Sequence, residues 1–306
     1  MGHLALVLHI MTMQNKEGGK PVKPQKILMC GGDMRSIYMA DFFRRQGIDV
    51  ELCATDNEIA EKYSFKITEL FEGIPKADVA VFGLPAVKND MNINCPLGDE
   101  CVSFEKALKK ADKKTVFAGG RFSDSACIMA ADYGIRLIDY STDEVFQIEN
   151  AFYTAEGAVE TIIKNTVKAL GELRILITGY GRISKALSKI MSSLGSDITV
   201  YARKAEQRAW ADMLGYNTAD SLKELEKYDV LVNTVPHELF TETELGTVKK
   251  DALIIDLSAR PGYVNRELCD RCKVRLVFLP GLPALSAPRS AGEAAARAVI
   301  RMCSEL

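Results

Sequence analysis

At 306 residues the chain is too long for one small core. With 47% hydrophobic residues it can bury roughly three quarters of its unfolded surface, so two globular domains are expected. The 39 Lys+Arg against 41 Asp+Glu give a formal net charge of -2, which argues against a nucleic-acid partner. No run approaches the ~18 apolar residues of a membrane-spanning helix, and Leu4 to Met13 lacks the cationic flank of a secretory signal. Eight cysteines without a regular framework fit reduced thiols in a cytoplasmic protein.

Residues 1–25 read as a loose leader, because the apolar stretch from Leu4 runs into Lys16-Glu-Gly-Gly-Lys-Pro-Val-Lys-Pro24, which suits no regular element. From Lys26 the pattern becomes strand, turn, helix, turn, strand. Strands are expected at Ile27–Cys30, Val50–Ala54, Val79–Phe82, Thr115–Ala118 and Ile135–Ile138, with helices at Met34–Gln46, Ser103–Lys110 and Ser123–Tyr133. Continuous apolar runs separated by helices predict a parallel sheet covered on both faces. Asn150–Leu170 is alanine-rich, helical in pattern and free of strand signal, as a helix linking two domains would be. The alternation then restarts with strands at Arg174–Thr178, Ile198–Ala202, Val230–Thr234, Leu253–Leu257 and Val274–Phe278. The fold class is therefore α/β, two Rossmann-like doubly wound parallel-sheet domains joined by a long helix. The closing helix, Pro288–Leu306, is expected to cross back and pack on the first domain. The domains are read as 26–149 for substrate and catalysis and 150–287 for the dinucleotide, with 288–306 as the returning helix.

The strongest local signal is Thr178-Gly-Tyr-Gly-Arg-Ile-Ser184, set between a strand and a helix. Gly179 permits a tight turn, Gly181 lets the backbone approach a pyrophosphate, and the helix start offers unpaired N–H groups. Ser184 replaces the third glycine of this fingerprint and is small enough to keep the helix close to its strand. Tyr180, Arg182 and Ile183 complete the predicted phosphate turn. NAD enzymes place an acid at the end of the second strand to hold the ribose hydroxyls. Here Tyr201-Ala-Arg-Lys204 puts Ala202, Arg203 and Lys204 at that point, which favours a 2′-phosphate and hence NADP over NAD. The competing reading of Arg203 and Lys204 is a solvated helix start. Asn233-Thr-Val-Pro236 and Asp256-Leu-Ser-Ala-Arg-Pro-Gly262 follow strands at the edge that faces the ligand crevice, adding Thr234, Val235, Pro236, Leu257 and Ser258 as cofactor contacts. Gly31-Gly-Asp-Met-Arg35 and Ala118-Gly-Gly-Arg121 occupy the same edge of the first domain. Several arginines at strand ends imply a substrate rich in carboxylate, which a guanidinium binds bidentately.

Taken in order, Gly31-Gly-Asp-Met-Arg35, Asn150-Ala-Phe-Tyr-Thr-Ala-Glu-Gly157, Gly179-Tyr-Gly-Arg182, Asn233-Thr-Val-Pro236, Asp256-Leu-Ser-Ala-Arg-Pro-Gly262, Leu279-Pro-Gly-Leu-Pro283 and Ala287-Pro-Arg-Ser-Ala-Gly292 resemble the A-subunit family of bacterial dipicolinate synthase. The resemblance runs from about Lys26 to the C-terminus. Ser184, and the Lys88–Cys101 loop with Cys95 and Cys101, depart from the family's pattern. It implies NADP-linked oxidation of a dihydrodipicolinate, formed by loss of water from a hydroxylated tetrahydropyridine, in spore-forming cells. A flavoprotein-like B subunit is the partner it implies, and a homo-oligomer is expected. Two ring carboxylates want two cationic clamps, for which Arg35 and Arg260 are the first choice and Arg289 or Arg121 the reserves. Glu156 is the candidate proton acceptor with Thr154 beside it, and Asp33 is the alternative unless it orients Arg35. Asp256 reads as a structural cap.

Of the three histidines, His3 and His9 lie in the leader, which argues against a histidine-based 2-hydroxyacid dehydrogenase, although His237 follows a strand and could in principle serve as its base. Cys269 and Cys272 read as structural thiols, no metal site is expected, and Trp210 is expected to pack in the second domain. Two further readings stay open: an alanine or 2-hydroxyacid dehydrogenase-like enzyme, and a dinucleotide-binding protein without turnover.

Overall fold

A computed structural model describes residues 24–98, 102–259 and 261–305. The leader up to residue 23, Cys101 and Arg260 therefore lie outside the described residues. The chain divides into two compact units: one takes the chain up to Gln147 together with Pro288–Leu306, the other is Ile148–Ala287.

In the first unit, strands β1 (Lys26–Cys30), β2 (Asp49–Cys53), β3 (Lys66–Ile67), β4 (Val79–Phe82), β5 (Val116–Gly119) and β6 (Leu137–Asp139) form one parallel sheet, in the order β3-β2-β1-β4-β5-β6. Between them run helices α1 (Met34–Arg45), α2 (Asn57–Lys62), α3 (Leu70–Gly73), α4 (Phe104–Lys110) and α5 (Asp124–Asp132). Helix α6 (Glu144–Asn165) passes from this unit into the second. There β7 (Arg174–Thr178), β8 (Asp197–Tyr201), β9 (Asn217–Ala219), β10 (Val230–Asn233), β11 (Leu253–Asp256) and β12 (Arg275–Phe278) line up as β12-β11-β10-β7-β8-β9. Its helices are α7 (Arg182–Ser193), α8 (Ala205–Met213), α9 (Glu242–Thr247), α10 (Arg266–Cys272) and α11 (Pro283–Ser286), and α12 (Pro288–Ser304) returns to the first unit. Both sheets thus follow the strand order of dinucleotide-binding folds, with a switch point between β1 and β4 in one and between β7 and β10 in the other.

The two-residue alternation of strands divides each core. On β7, Ile175 and Ile177 join one apolar cluster with Ala155, Ala158 and Ile162 of α6, while Leu176 joins another with Leu231, Ile254 and Phe240. Phe82, Phe104 and Phe117 meet at centroid distances of 5.1 to 6.0 Å in the first unit. Helix α12 reaches α1 through small residues: Ala291, Gly292 and Ala295 are buried, and a Cβ on Gly292 would collide with the Arg35 carbonyl. Arg45 to Glu293 (2.6 Å) and Arg301 to Asp143 (2.5 Å) bind α12 further within its unit.

An acid before the fourth strand caps the start of the first in both units. Asp78 accepts from Gln25 N (2.8 Å) and Lys26 N (2.9 Å), and Asp229 accepts from Arg174 N (2.9 Å). Asp229 also takes Lys168 (2.7 Å) and Lys249 (2.5 Å). Burial opposes its charge, but these donors outweigh it and hold its pKa at about 2.

Several elements differ from expectation. β3 and β9 escape a hydrophobicity reading because they are two and three residues long, and β9 is only partly buried. The linking helix begins at Glu144, where Asp143 caps Phe146 N (2.7 Å), and it ends at Asn165 rather than Leu170, which lies in a separate 3-10 turn. Trp210 is 58% exposed on α8 rather than packed. No helix among the described residues is long and apolar enough to cross a membrane.

Gly292→Leu should lower stability by about 1–3 kcal/mol through overpacking against α1, read as a fall in denaturation midpoint. Asp229 is ionised at a lower pH folded than unfolded, so its contribution is complete above about pH 4 and disappears as pH falls toward 2. Asp229→Asn should therefore cost about 2 kcal/mol at neutral pH, with the gap to wild type closing between pH 4 and pH 2 in acid-denaturation curves.

Candidate functional site: a dinucleotide turn and an arginine edge

In the second unit β7 delivers the chain to Gly179, whose φ of 82° is left-handed and whose Cβ, if it had one, would lie 2.5 Å from Val235 Cγ1. Gly179 N donates to Tyr201 O (2.7 Å), tying the turn to the end of β8. Gly181 is the N-cap of α7; no side chain caps it, no acid sits in the first turn, and a Cβ there would meet nothing within 4 Å. The result is a helix start with open N–H groups and open space before them, which is what an anion needs. Ser184 is fully buried, so the small residue at the third glycine position is a packing requirement.

A cavity of about 480 Å³ opens beside this turn, bounded by residues 179–181, 201–204 and 234–237 with Gln207 and Leu239. Tyr180, Gly181, Ala202, Arg203, Lys204, Thr234, Val235 and Pro236 thus line one cavity, and His237 joins them on the exposed rim. Arg182, Ile183, Leu257 and Ser258 do not line this cavity. Ile183 packs against the core, Leu257 and Ser258 are buried after β11, and Arg182 is exposed as the first residue of α7. Arg203 is exposed, and its guanidinium has no partner among the described residues.

Below the cavity a buried polar chain joins three strand ends. Thr178 Oγ1 donates to Asn233 Oδ1 (2.8 Å), and Asn233 Nδ2 donates to Asp256 Oδ1 (3.0 Å) and Val235 O (3.1 Å). Thr234 Oγ1 donates back to Thr178 O (2.6 Å). Asp256 also accepts from Ser258 N (3.0 Å), Tyr263 N (2.7 Å) and Val264 N (3.0 Å). With four donors on it, Asp256 holds the loop after β11 in place and has no room to act as a base.

The first unit finishes its equivalent turn differently. Asp33 is the N-cap of α1, accepting from Arg35 N (3.0 Å), and the same carboxylate takes Arg35 Nε (2.9 Å) and Nη2 (2.7 Å). Arg35 Nη2 donates also to Leu84 O (2.7 Å). Burial works against the Arg35 charge, but its bonds to Asp33 more than offset this and raise its pKa. The chelating edge of Arg35 is therefore spent inside its own unit, leaving only Nη1, and Asp33 is its orienting partner rather than a free base. Gly32 N donates to Asn94 O (2.8 Å), and Cys95 Sγ lies against Gly31, so the loop after Pro85 closes this turn.

Arg121 sits after β5 with a left-handed φ of 55°, held by Asp139, which accepts from Arg121 N (3.0 Å) and Phe122 N (3.2 Å). Its side chain is exposed and has no partner among the described residues. Arg289 pairs with Glu293 (3.1 Å) on its own helix. In the second unit Thr154 is buried and donates to Asn150 O (2.8 Å) within α6, while Glu156 is exposed without a partner among the described residues. Among the described residues no three His, Cys, Asp or Glu side chains are grouped to hold a metal. Asp139 and Arg208 carry positioning bonds that no motif marks.

Residues 26–141 match the N-terminal domain of the dipicolinate synthase A subunit. Residues 147–273 match the D-isomer specific 2-hydroxyacid dehydrogenase, NAD binding domain. The dipicolinate synthase A subunit of Bacillus subtilis (strain 168) is 22% identical over 287 residues, covering 92% of this chain and 96% of that protein. Among solved structures, the dipicolinate synthase A chain from Bacillus subtilis gives a TM-score of 0.81 at 22% identity, over 92% of this chain and 96% of its own. Its counterpart from Bacillus halodurans gives 0.84 at 19%, over 94% and 99%, and the transhydrogenase from Sinorhizobium meliloti gives 0.67 at 14%, over 90% and 92%. These likenesses establish the fold as two Rossmann-like domains. The match of the second unit makes the chain dehydrogenase-like, with a nicotinamide dinucleotide as cofactor.

The two turn glycines should separate in their effects. Gly179→Ala should destabilise the fold, since both its φ and Val235 oppose a side chain. Gly181→Ala should leave the melting temperature unchanged yet weaken dinucleotide binding about tenfold or more, because its methyl would enter the space where backbone approaches the pyrophosphate; calorimetric titration with the dinucleotide checks both.

Proposed function

We propose that the chain is an A subunit of dipicolinate synthase and catalyses the NADP-dependent oxidation of dihydrodipicolinate to pyridine-2,6-dicarboxylate during sporulation, a reading supported by its likeness to those subunits. The observation that carries this reading is an uncapped helix start beside a cavity whose strand end bears Arg203 and Lys204 where an acid would favour NAD. In the balanced step, dihydrodipicolinate loses a hydride and a proton and becomes aromatic, while NADP is reduced. The bound nicotinamide supplies the hydride acceptor. The gain of aromaticity drives the step, so the protein needs mainly to orient the ring and take one proton.

Arg121, with its guanidinium unspent, is the described side chain best suited to a ring carboxylate. Arg35 can add only its Nη1 edge, Arg289 must leave Glu293 to take part, and Arg260 lies outside the described residues. Glu156, unpaired among the described residues, is the proposed proton acceptor. The proposed partners are further copies of the chain and a flavoprotein-like B subunit, and the cytoplasm is the proposed location. His237 on the cavity rim favours, as a second reading, a dehydrogenase of simple 2-hydroxy acids with this histidine as base.

The test mixes the purified chain with dihydrodipicolinate synthase, its substrates and NADP, with and without a B subunit, and follows pyridine dicarboxylate absorbance. Product supports the proposal, and turnover of 2-hydroxy acids alone supports the second reading. Absence of product in both mixtures and of turnover with 2-hydroxy acids leaves a protein that binds the dinucleotide without turnover. Glu156→Gln should lower kcat about a hundredfold or more with dinucleotide affinity unchanged. Arg203→Asp should move the NADP to NAD affinity ratio toward NAD by about tenfold or more, as loss of a charge-assisted contact requires.

A further inference from the structure

Arg208, the fourth residue of α8, turns its guanidinium back onto the end of β8: Nη1 donates to Ala202 O (2.7 Å) and to Arg203 O (3.0 Å). The preceding carbonyl, Tyr201 O, is held by Gly179 N (2.7 Å). Three successive carbonyls at the rim of the dinucleotide cavity are thus fixed, two of them by a charged donor that does not itself line the cavity. Backbone groups leaving a sheet edge otherwise turn to water and move with it. The N-cap of α8, Lys204, offers no side-chain cap of its own, so Arg208 is the contact that joins strand end to helix. Beyond it the Arg203 side chain stands without a partner among the described residues, and Lys204 meets only the exposed Glu206 at 3.8 Å.

We propose that Arg208 is a positioning residue for dinucleotide specificity. By locking the Ala202 and Arg203 carbonyls it presets the backbone from which Arg203 and Lys204 reach a ribose 2′-phosphate. The inference rests on the NADP reading above and adds the residue through which that preference is set. Two long, exposed cations lose much rotamer freedom when they close on a phosphate, and a fixed backbone beneath them lowers the remaining ordering cost. A ribose with a free 2′-hydroxyl calls on neither cation and gains little from the lock.

The full chain and its variants are titrated by calorimetry with 2′,5′-ADP and 5′-AMP, which present the adenosine half with and without the extra phosphate. Wild type should prefer 2′,5′-ADP, and Arg203→Ala should remove the preference. Arg208→Ala should reduce it about tenfold while 5′-AMP affinity changes less than about twofold, and Arg208→Lys should recover part of it. An unchanged ratio in Arg208→Ala, with the preference lost in Arg203→Ala, overturns the role of Arg208 and leaves the NADP reading standing. Equal losses for both probes mark a general structural role and overturn it as well. No preference in wild type overturns the NADP reading itself, and the inference with it. Melting curves accompany each variant; should Arg208→Ala fail to fold, Arg208→Gln, which removes the charge but keeps a donor, carries the same comparison.

Discussion

The buried carboxylate of Asp256 is the fixed point of the second unit. It accepts from one side-chain amide and three backbone N–H groups, and through Asn233 it is linked to Thr178 and to the Val235 carbonyl. A buried ion of this kind is tolerable only when its donors are complete. Once they are, three strand ends and two loops share one geometry. Val235, held from below, in turn presses on Gly179 and leaves it no room for a side chain. The shape of the phosphate turn is therefore set two strands away from the turn itself, at positions no ligand needs to touch.

The same strand order occurs in both units, and their turns are finished differently, one with a carboxylate and one with none. In the second unit the helix after the first strand begins at Gly181, bare of side chain, cap and acid. In the first unit the helix begins at Asp33, whose carboxylate already fills the place an anion would take and is itself chelated by Arg35. Cys95 and Asn94 close the space over Gly31 and Gly32. Topology alone offers an anion site twice; side-chain chemistry keeps one of them open and spends the other on internal structure.

The layout is legible where the signal is long and apolar. Ten of the strands and the returning helix stand where periodicity and turn chemistry place them, to within a few residues. β3 and β9 are not legible, because edge strands of two and three residues bury little and carry no pattern. Trp210 departs from expectation because aromatic character on a helix does not say which face is covered. At the site, the glycine turn and its strand ends are readable since Gly179 answers to a backbone requirement and Gly181 leaves the helix start bare. The ionic pairings are not: that Arg35 is consumed by Asp33, that Thr154 turns back into its own helix and that Arg208 braces β8 depend on rotamers and distances that spacing does not encode.

Those pairings decide which cations remain for a ligand. An arginine already chelated by a half-buried carboxylate gives up those bonds before it can offer a bidentate edge elsewhere, whereas a solvent-facing one gives up only water. By this measure Arg35 belongs to the architecture of its turn and Arg289 to a pair on its helix, while among the described residues Arg121 and Arg203 are unspent guanidiniums at strand ends of their respective sheets. Each stands on backbone held by another charged residue, Asp139 under Arg121 and Arg208 under Arg203. Both edges thus divide the work in the same way: one ionic group holds the backbone, and the neighbour it supports faces solvent.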